Sequence, residues 1–354
     1  MVLLQRLAKD FQGGILSIPG RAIEFFFVLF LICLPLMFSN PYLIKIFIFA
    51  NIFAIFAASW DLLSGFTGQM SLGHAAFFGI GAYTAALLNI KAGLPPWITI
   101  PCGSFMSVLM GLVIGFPALR IRGVYLALVT LAFPILLNGV VQAFPEFTGG
   151  ELGIYGVSPL SDSDMVVYYL TLFLMTASAL LMWKFTDIKS STIRLGAMLS
   201  AIREDEITAR ASGVNTTKYK LIAFCISAFF AGFAGGLYSH VMRIAGPSVL
   251  DLFFTFQPII WTIFGGVATI GGAVAGVYIL FPLMEFLRIV PETRMLIFAL
   301  VIVIVLFFMP EGLTTRIRDK ILEEECPRCK LLNAKYRRYC RACDADLHPE
   351  KRSS

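Results

Sequence analysis

From residue 22 to residue 309 the sequence returns again and again to apolar runs about twenty residues long and nearly free of charge. A hydrocarbon core about 30 Å thick takes about 20 residues of helix to cross. Inside it every backbone amide and carbonyl must find its partner within the protein. The runs are continuous and do not alternate with period two, which excludes a barrel. The chain is therefore expected to be an all-α polytopic membrane protein. Its composition agrees: 14% of residues are charged and mean hydropathy is +0.82, whereas soluble domains are about a quarter charged.

Spans are predicted near 22–38, 43–60, 72–90, 97–119, 124–144, 165–183, 219–240, 254–270, 271–287 and 294–309. The pair 254–270 and 271–287 is broken by GGVATIGG, which suits a segment that enters the membrane only part way. The run 22–38 contains Glu24 and has no small-residue cleavage site behind it, so it reads as a retained span and not a signal peptide.

Charge gives the layout a direction. Of 28 Lys and Arg, 23 fall in 313–354, in 184–220, at Arg120 and Arg122, or at Arg6, Lys9 and Arg21, all on one side of this layout. The segment 145–164, on the other side, has four acidic residues and no basic one. The positive-inside rule puts both termini and the loop 184–218 in the cytoplasm, which requires an even number of spans, eight or ten. The net charge of +6 thus marks a membrane face and gives no reason to expect nucleic acid. The expected organisation is a cytoplasmic segment 1–21, a transmembrane domain 22–312, a charged linker 313–325 and a small C-terminal domain 326–347.

Two polar stretches interrupt this apolar background. In AIREDEITARASGVNTTKYK, residues 201–220, seven of twenty residues are charged. A helix is predicted over 191–211, with Gly213 as a left-handed cap and Asn215, Thr216 and Thr217 capping the span that starts near Tyr219. By charge alone this is a solvated interfacial helix. The second stretch is GFTGQMSLGHAAFFGIGAYTAALL, residues 65–88, where Thr67, Gln69, Ser71 and His74 stand at the start of a span. Irregular backbone there is tolerated only against protein or a water-filled cavity. Ser71 could cap a helix from Leu72, whose amides would suit a carboxylate. The plainer reading makes His74 a packing residue and the glycines sites of close helix contact.

Both stretches resemble the permease subunits of branched-chain amino acid ABC importers. The resemblance covers roughly 22–315, includes the later WTIFGGVATIGGAVAG and the closing MPEGL, and points to the longer of that family's two permease types. It implies a transport subunit of a prokaryotic plasma (inner) membrane, working with two ATP-binding cassette ATPase subunits, a sister permease and a periplasmic or extracellular solute-binding protein, among membrane lipid. It also implies that Ile202, Arg203, Glu204, Asp205, Glu206 and Gly213 lie at or beside the ATPase contact, and that Thr67, Gln69, Ser71 and His74 border the translocation pathway. No Gly-Lys dipeptide occurs, so the sequence has no phosphate-binding G-x-x-x-x-G-K-[ST] loop and is not expected to be an enzyme. Alternative readings are a permease for urea or short amides, and a membrane sensor that transports nothing.

The tail stands outside that resemblance. In CPRCKLLNAKYRRYCRACDADL, Cys326, Cys329, Cys340 and Cys343 form two C-x2-C pairs ten residues apart. Four thiolates so arranged complete a closed, structural zinc site, and a zinc ribbon is expected. Iron or a redox pair is the alternative. Cys33, Cys102 and Cys225, alone in apolar runs, read as packing residues.

Overall fold

The computed structural model describes residues 27–35, 40–118, 123–187 and 195–289, with short pieces of the remainder (296–297, 299–300, 303, 312–313, 323–328, 332–334, 343 and 347). Both ends of the expected first span, most of the expected last span, and the whole of 1–21 lie outside the described residues.

Helix α1 covers 27–35. Helix α2, Pro41–Trp60, starts where Asn40 Oδ1 accepts the amide of Tyr42 at 3.0 Å and Pro41 presets the first turn. It continues through a π-helical turn, Asp61–Gly65. Then come α3 (His74–Ala92), α4 (Pro96–Ala118), α5 (Val124–Ala143), the single turn α6 (Pro145–Thr148) and α7 (Asp164–Thr186). Helices α8 (Leu195–Glu204) and α9 (Glu206–Ala211) precede α10 (Thr216–Met242), α11 (Leu252–Gly265) and α12 (Ile270–Phe286). Among the described residues six helices are long and apolar enough to cross a membrane, or seven if the bent pair α11–α12 counts as one span.

α2 runs through the middle of the bundle, with Ala50, Ile52, Ala54, Phe56 and Ala57 fully buried. It is fastened by polar contacts as well as packing. Asn51 Nδ2 donates to Thr171 Oγ1 of α7 at 3.1 Å, and the Tyr278 hydroxyl of α12 donates to Asn51 Oδ1. α3, α4 and α10 form the tightest group. A side chain on Gly81 would collide with the carbonyl of Gly232, and one on Gly103 would sit 2.6 Å from the carbonyl of Gly81. Small residues let helix backbones approach in this way where lipid gives no hydrophobic drive for association.

The helix ends sort into two groups. At one end Ile154–Tyr155 (β1) pairs antiparallel with Ile244–Ala245 (β2), Ser158 bonds Asn89 and His240, and Lys45 faces Asp164 at 3.7 Å. At the other end α8 and α9 pack beside residues 67–70 and the start of α10. These are called the acidic and the basic end after the segments that reach them. The break between α11 and α12 bends the pair by 110°. α11 starts beside the acidic-end segment 247–250, the turn 266–269 lies against Asp61, and α12 returns so that Glu285 accepts from the Tyr42 hydroxyl at 3.2 Å. The pair thus enters and leaves at the same end. The expected segments 254–270 and 271–287 are thus the two arms of a hairpin, broken within GGVATIGG, whose apex reaches the far end of α2.

The loop helix also differs from expectation. It breaks at Asp205, whose Oδ1 accepts the amides of Ile207 at 2.8 Å and Thr208 at 3.3 Å and so restarts the chain as α9. Beyond it Asn215 caps α10, accepting the Lys218 amide at 3.0 Å.

Candidate functional site

A cleft of about 590 Å³ opens at the basic end between the 67–70 segment, α5 and the α8–α9 elbow. One wall carries Thr67, Gly68 and Gln69; the other carries residues 202–207, and Lys220 lies between them. α8 is held by Leu199 and Ile202, both buried, while Arg203, Glu204 and Asp205 are exposed. Glu206 turns inward. Its Oε2 lies 2.7 Å from Lys220 Nζ, and its Oε1 accepts from Arg210 Nη2 at 3.0 Å. Arg210 reaches Thr216 Oγ1 at 3.2 Å, so one carboxylate clamps α9 onto the first turn of α10.

Asp205 is exposed, and its carboxyl is held below the usual carboxylate range by the Thr208 hydroxyl at 2.7 Å, then by the two amides it caps. Gly213, at φ 85°, closes α9: its amide donates to Arg210 O and that of Val214 to Ala209 O, a paired arrangement that needs a left-handed residue. The six residues expected at the loop therefore divide into an inner set, Ile202 and Glu206, and an outward edge, Arg203, Glu204 and Asp205, with Gly213 setting the exit.

The second set divides as well. Thr67 and Gln69 line the cleft. The Thr67 hydroxyl donates to Leu63 O at 2.5 Å, and the buried Gln69 Oε1 has no hydrogen-bond partner. Ser71 and His74 face inward. The helix starts at His74 and not at Leu72. The amides that would have been open are taken by the protein's own hydroxyls: Ser71 N by Ser64, Leu72 N by Thr130 at 3.0 Å, and Gly73 N by Ser71. His74 Nε2 lies 2.9 Å from Ser59 Oγ and 3.3 Å from Ser227 Oγ. Both serine protons point elsewhere, to Phe56 O and Ser59 O. His74 thereby joins α2, α3 and α10 within the packing.

A second cavity, about 760 Å³ and almost wholly apolar, lies between α3, α4 and α5. The buried Tyr83 hydroxyl on its wall has no hydrogen-bond partner.

In the tail, Glu323–Glu325 (β3) and Leu332–Ala334 (β4) form an antiparallel ladder. Cys326 follows directly, buried, with its Sγ 3.6 Å from Cys343 Sγ. Thiolates bound to one zinc at about 2.3 Å in a tetrahedron stand about 3.8 Å apart, so these two fit as half of such a site. Cys329 and Cys340 lie outside the described residues. No group of three or more metal ligands is found among the described residues.

Sequence reasoning passed over Asp61. It is fully buried at the basic end of α2, and its Oδ1 accepts the amide of Ala268 at 2.7 Å. An acidic residue inside an apolar run is itself a signal of function, and it was available in FAASWDLLSGF.

Apolar helices that traverse a bundle end to end, a hairpin with its apex at the opposite face, and a capped charged elbow at one end define a multi-pass membrane permease. The chain belongs to the family described as the permease component of branched-chain amino acid transport systems, which matches residues 42–306. It is 30% identical to the high-affinity branched-chain amino acid transport system permease protein LivM of Escherichia coli, over 90% of this chain and 84% of that protein. It is also 30% identical to LivM of Salmonella typhimurium, over 76% of this chain and 69% of that one. A probable branched-chain amino acid transport permease protein, LivH of Methanocaldococcus jannaschii, is 25% identical over 66% of this chain and 76% of its own length.

Proposed function

We propose that this permease translocates branched-chain amino acids across the inner membrane as one of two permease subunits of an ABC importer, with ATP hydrolysed on two separate ATP-binding cassette subunits and solute delivered by a binding protein. The observation that carries the reading is the α8–α9 elbow. Its outward edge of Arg203, Glu204 and Asp205 is exposed on a helix pair that Ile202, Glu206 and Lys220 fix to the bundle. Such an edge can seat in a partner and pass on that partner's motion, its charges setting register more than affinity. Both termini and the basic end face the cytoplasm by the positive-inside rule. Thr67 and Gln69 border the solute's exit at the cleft, while Ser71 and His74 hold the wall behind it.

The tail is a zinc ribbon with Cys326, Cys329, Cys340 and Cys343 as ligands. The 3.6 Å approach of two of the four sulfurs supports this. A closed four-thiolate site is structural, and a segment this short buries too little apolar surface to hold a fold without such a staple.

The test is reconstitution of the complex in proteoliposomes. Labelled leucine is expected to enter with ATP and binding protein present, and Glu204→Lys to lower uptake and solute-stimulated ATP hydrolysis together. Uptake of labelled urea without leucine would replace this solute class. Full uptake after Glu204→Lys would return the elbow to a solvated face.

A further inference from the structure

Helix α12 begins without a cap of its own. Its N-cap residue is Thr269, but the Thr269 hydroxyl donates to Gly266 O at 2.6 Å and accepts none of the helix amides. The cap comes from Asp61, distant in sequence. Asp61 Oδ1 accepts the Ala268 amide at 2.7 Å, and the Thr269 amide reaches the same carboxylate. A carboxyl oxygen placed there satisfies amides at the start of a helix that would otherwise be open. Oδ2 has no hydrogen-bond partner, so the group is fully buried and only half satisfied. In a membrane-spanning segment such a residue is costly to keep. The turn it holds carries a strained residue: Ala268, not a glycine, sits at φ 60°.

On its other side Asp61 opens the π-helical turn Asp61–Gly65, an interruption of regular helix of the kind found at working sites. There is no slack between this turn and the hairpin. A side chain on Gly65 would collide with Asp61 Oδ1 and lie 2.8 Å from the Ala268 amide. The contact continues toward the elbow. Thr67 is bonded to Leu63 within the π turn, and a Cβ on Gly68 would lie 3.5 Å from Arg203 Cγ of α8. The path from Arg203 to Ala268 thus runs through neighbouring groups at the edge of the cleft, and it crosses two places where the helical ladder is interrupted.

We propose that Asp61 is a positioning residue for transport: it binds the apex of the α11–α12 hairpin to the π turn of α2, so that displacement of the α8–α9 elbow is delivered to the hairpin. The inference rests on the reading of that elbow as the ATPase contact. A short buried hydrogen bond with no clearance around it makes the apex follow the end of α2. The π turn and the strained 266–269 turn are where the backbone can absorb the change.

The test compares solute imported per ATP hydrolysed in purified, fully assembled complexes. Asp61→Asn keeps an acceptor for the Ala268 amide and is expected to hold this ratio within about twofold of the wild type. Asp61→Ala removes the acceptor and is expected to lower the ratio at least tenfold while the complex still hydrolyses ATP. A residue that only stabilised the fold would change the yield of complex and not the ratio. An assembled Asp61→Ala complex with the wild-type ratio overturns the proposal. If that variant does not assemble, hydrogen exchange on the wild-type complex decides. Amides 266–269 are expected to change protection in the same nucleotide state as α8, and equal exchange in every nucleotide state overturns the proposal. Glu204→Lys separates the two readings. If it leaves coupling intact, the elbow reading fails. If it uncouples while Asp61→Ala does not, only the role of Asp61 fails.

Discussion

Lys220 Nζ lies 2.7 Å from Glu206 Oε2, with the lysine side chain 5% exposed and the glutamate 22%, so the elbow is riveted to α10 by a partly buried ion pair at the edge of the cleft. Removing one partner leaves a charge unmatched, and the open cleft lets water offset part of the loss, so the cost is about 1–3 kcal/mol. Glu206→Gln is therefore expected to lower thermal stability in detergent by about that amount, and Lys220→Met added to it to recover most of the loss. Glu204→Lys, on the exposed edge, is expected to leave the melt unchanged. A melt unaffected by Glu206→Gln would show that the pair does not hold the elbow.

A pH dependence follows from Asp205. Its folded pKa lies below the ordinary aspartate value, so the stabilisation of α9 is fully present above the unfolded pKa and is lost as pH falls through the folded one. Amide protection over 206–211 is expected to be constant from neutral pH down to the ordinary aspartate range and to decline below it. Asp205→Ala is expected to show the low-pH exchange pattern at neutral pH, and Asp205→Asn to keep most of the protection.

The sidedness of the bundle can be read by labelling. Cysteines placed at the exposed Ser163 and Ser212, in a background without the native cysteines, are expected to react with impermeant reagent from opposite faces of oriented vesicles. Reaction of both from one face would overturn the charge-based orientation.

The tail is tested by metal content. Full-length protein is expected to hold one zinc per chain, and Cys340→Ser to lose it. A truncation after Arg318 is expected to insert normally. Protein purified without zinc, and with Cys326 and Cys343 recovered as a disulfide, would make the cysteines a redox pair instead.

What was legible in the sequence was what is local. The spans follow from apolar length, and the caps at Asn215 and Gly213 follow from residue types within a few positions of the groups they satisfy. The break at Asp205 was equally local but was masked by the helix-forming residues on either side. Asp61 and the break at GGVATIGG each stood in the sequence, but their meeting was not legible, because the amide that Asp61 caps lies 207 residues further on. The inward turn of Glu206 was hidden for a related reason. Beside Glu204 and Asp205 it looks like one more surface charge, and only Lys220 on the next helix distinguishes it. His74 kept both readings open, because its neighbours Ser59 and Ser227 come from two other helices.

The meeting of α3 and α10 at Gly81 and Gly232 has a mechanical consequence. Most helix pairs touch through a layer of side chains, which can change rotamer and let one helix slip past the other by a fraction of a turn. Here peptide group lies on peptide group, and no such lubricating layer exists. α3 and α10 must tilt and turn as one stiff slab, with α4 carried along through Gly103 and Ser107. Whatever opens and closes in this permease pivots around that slab and does not shear through it.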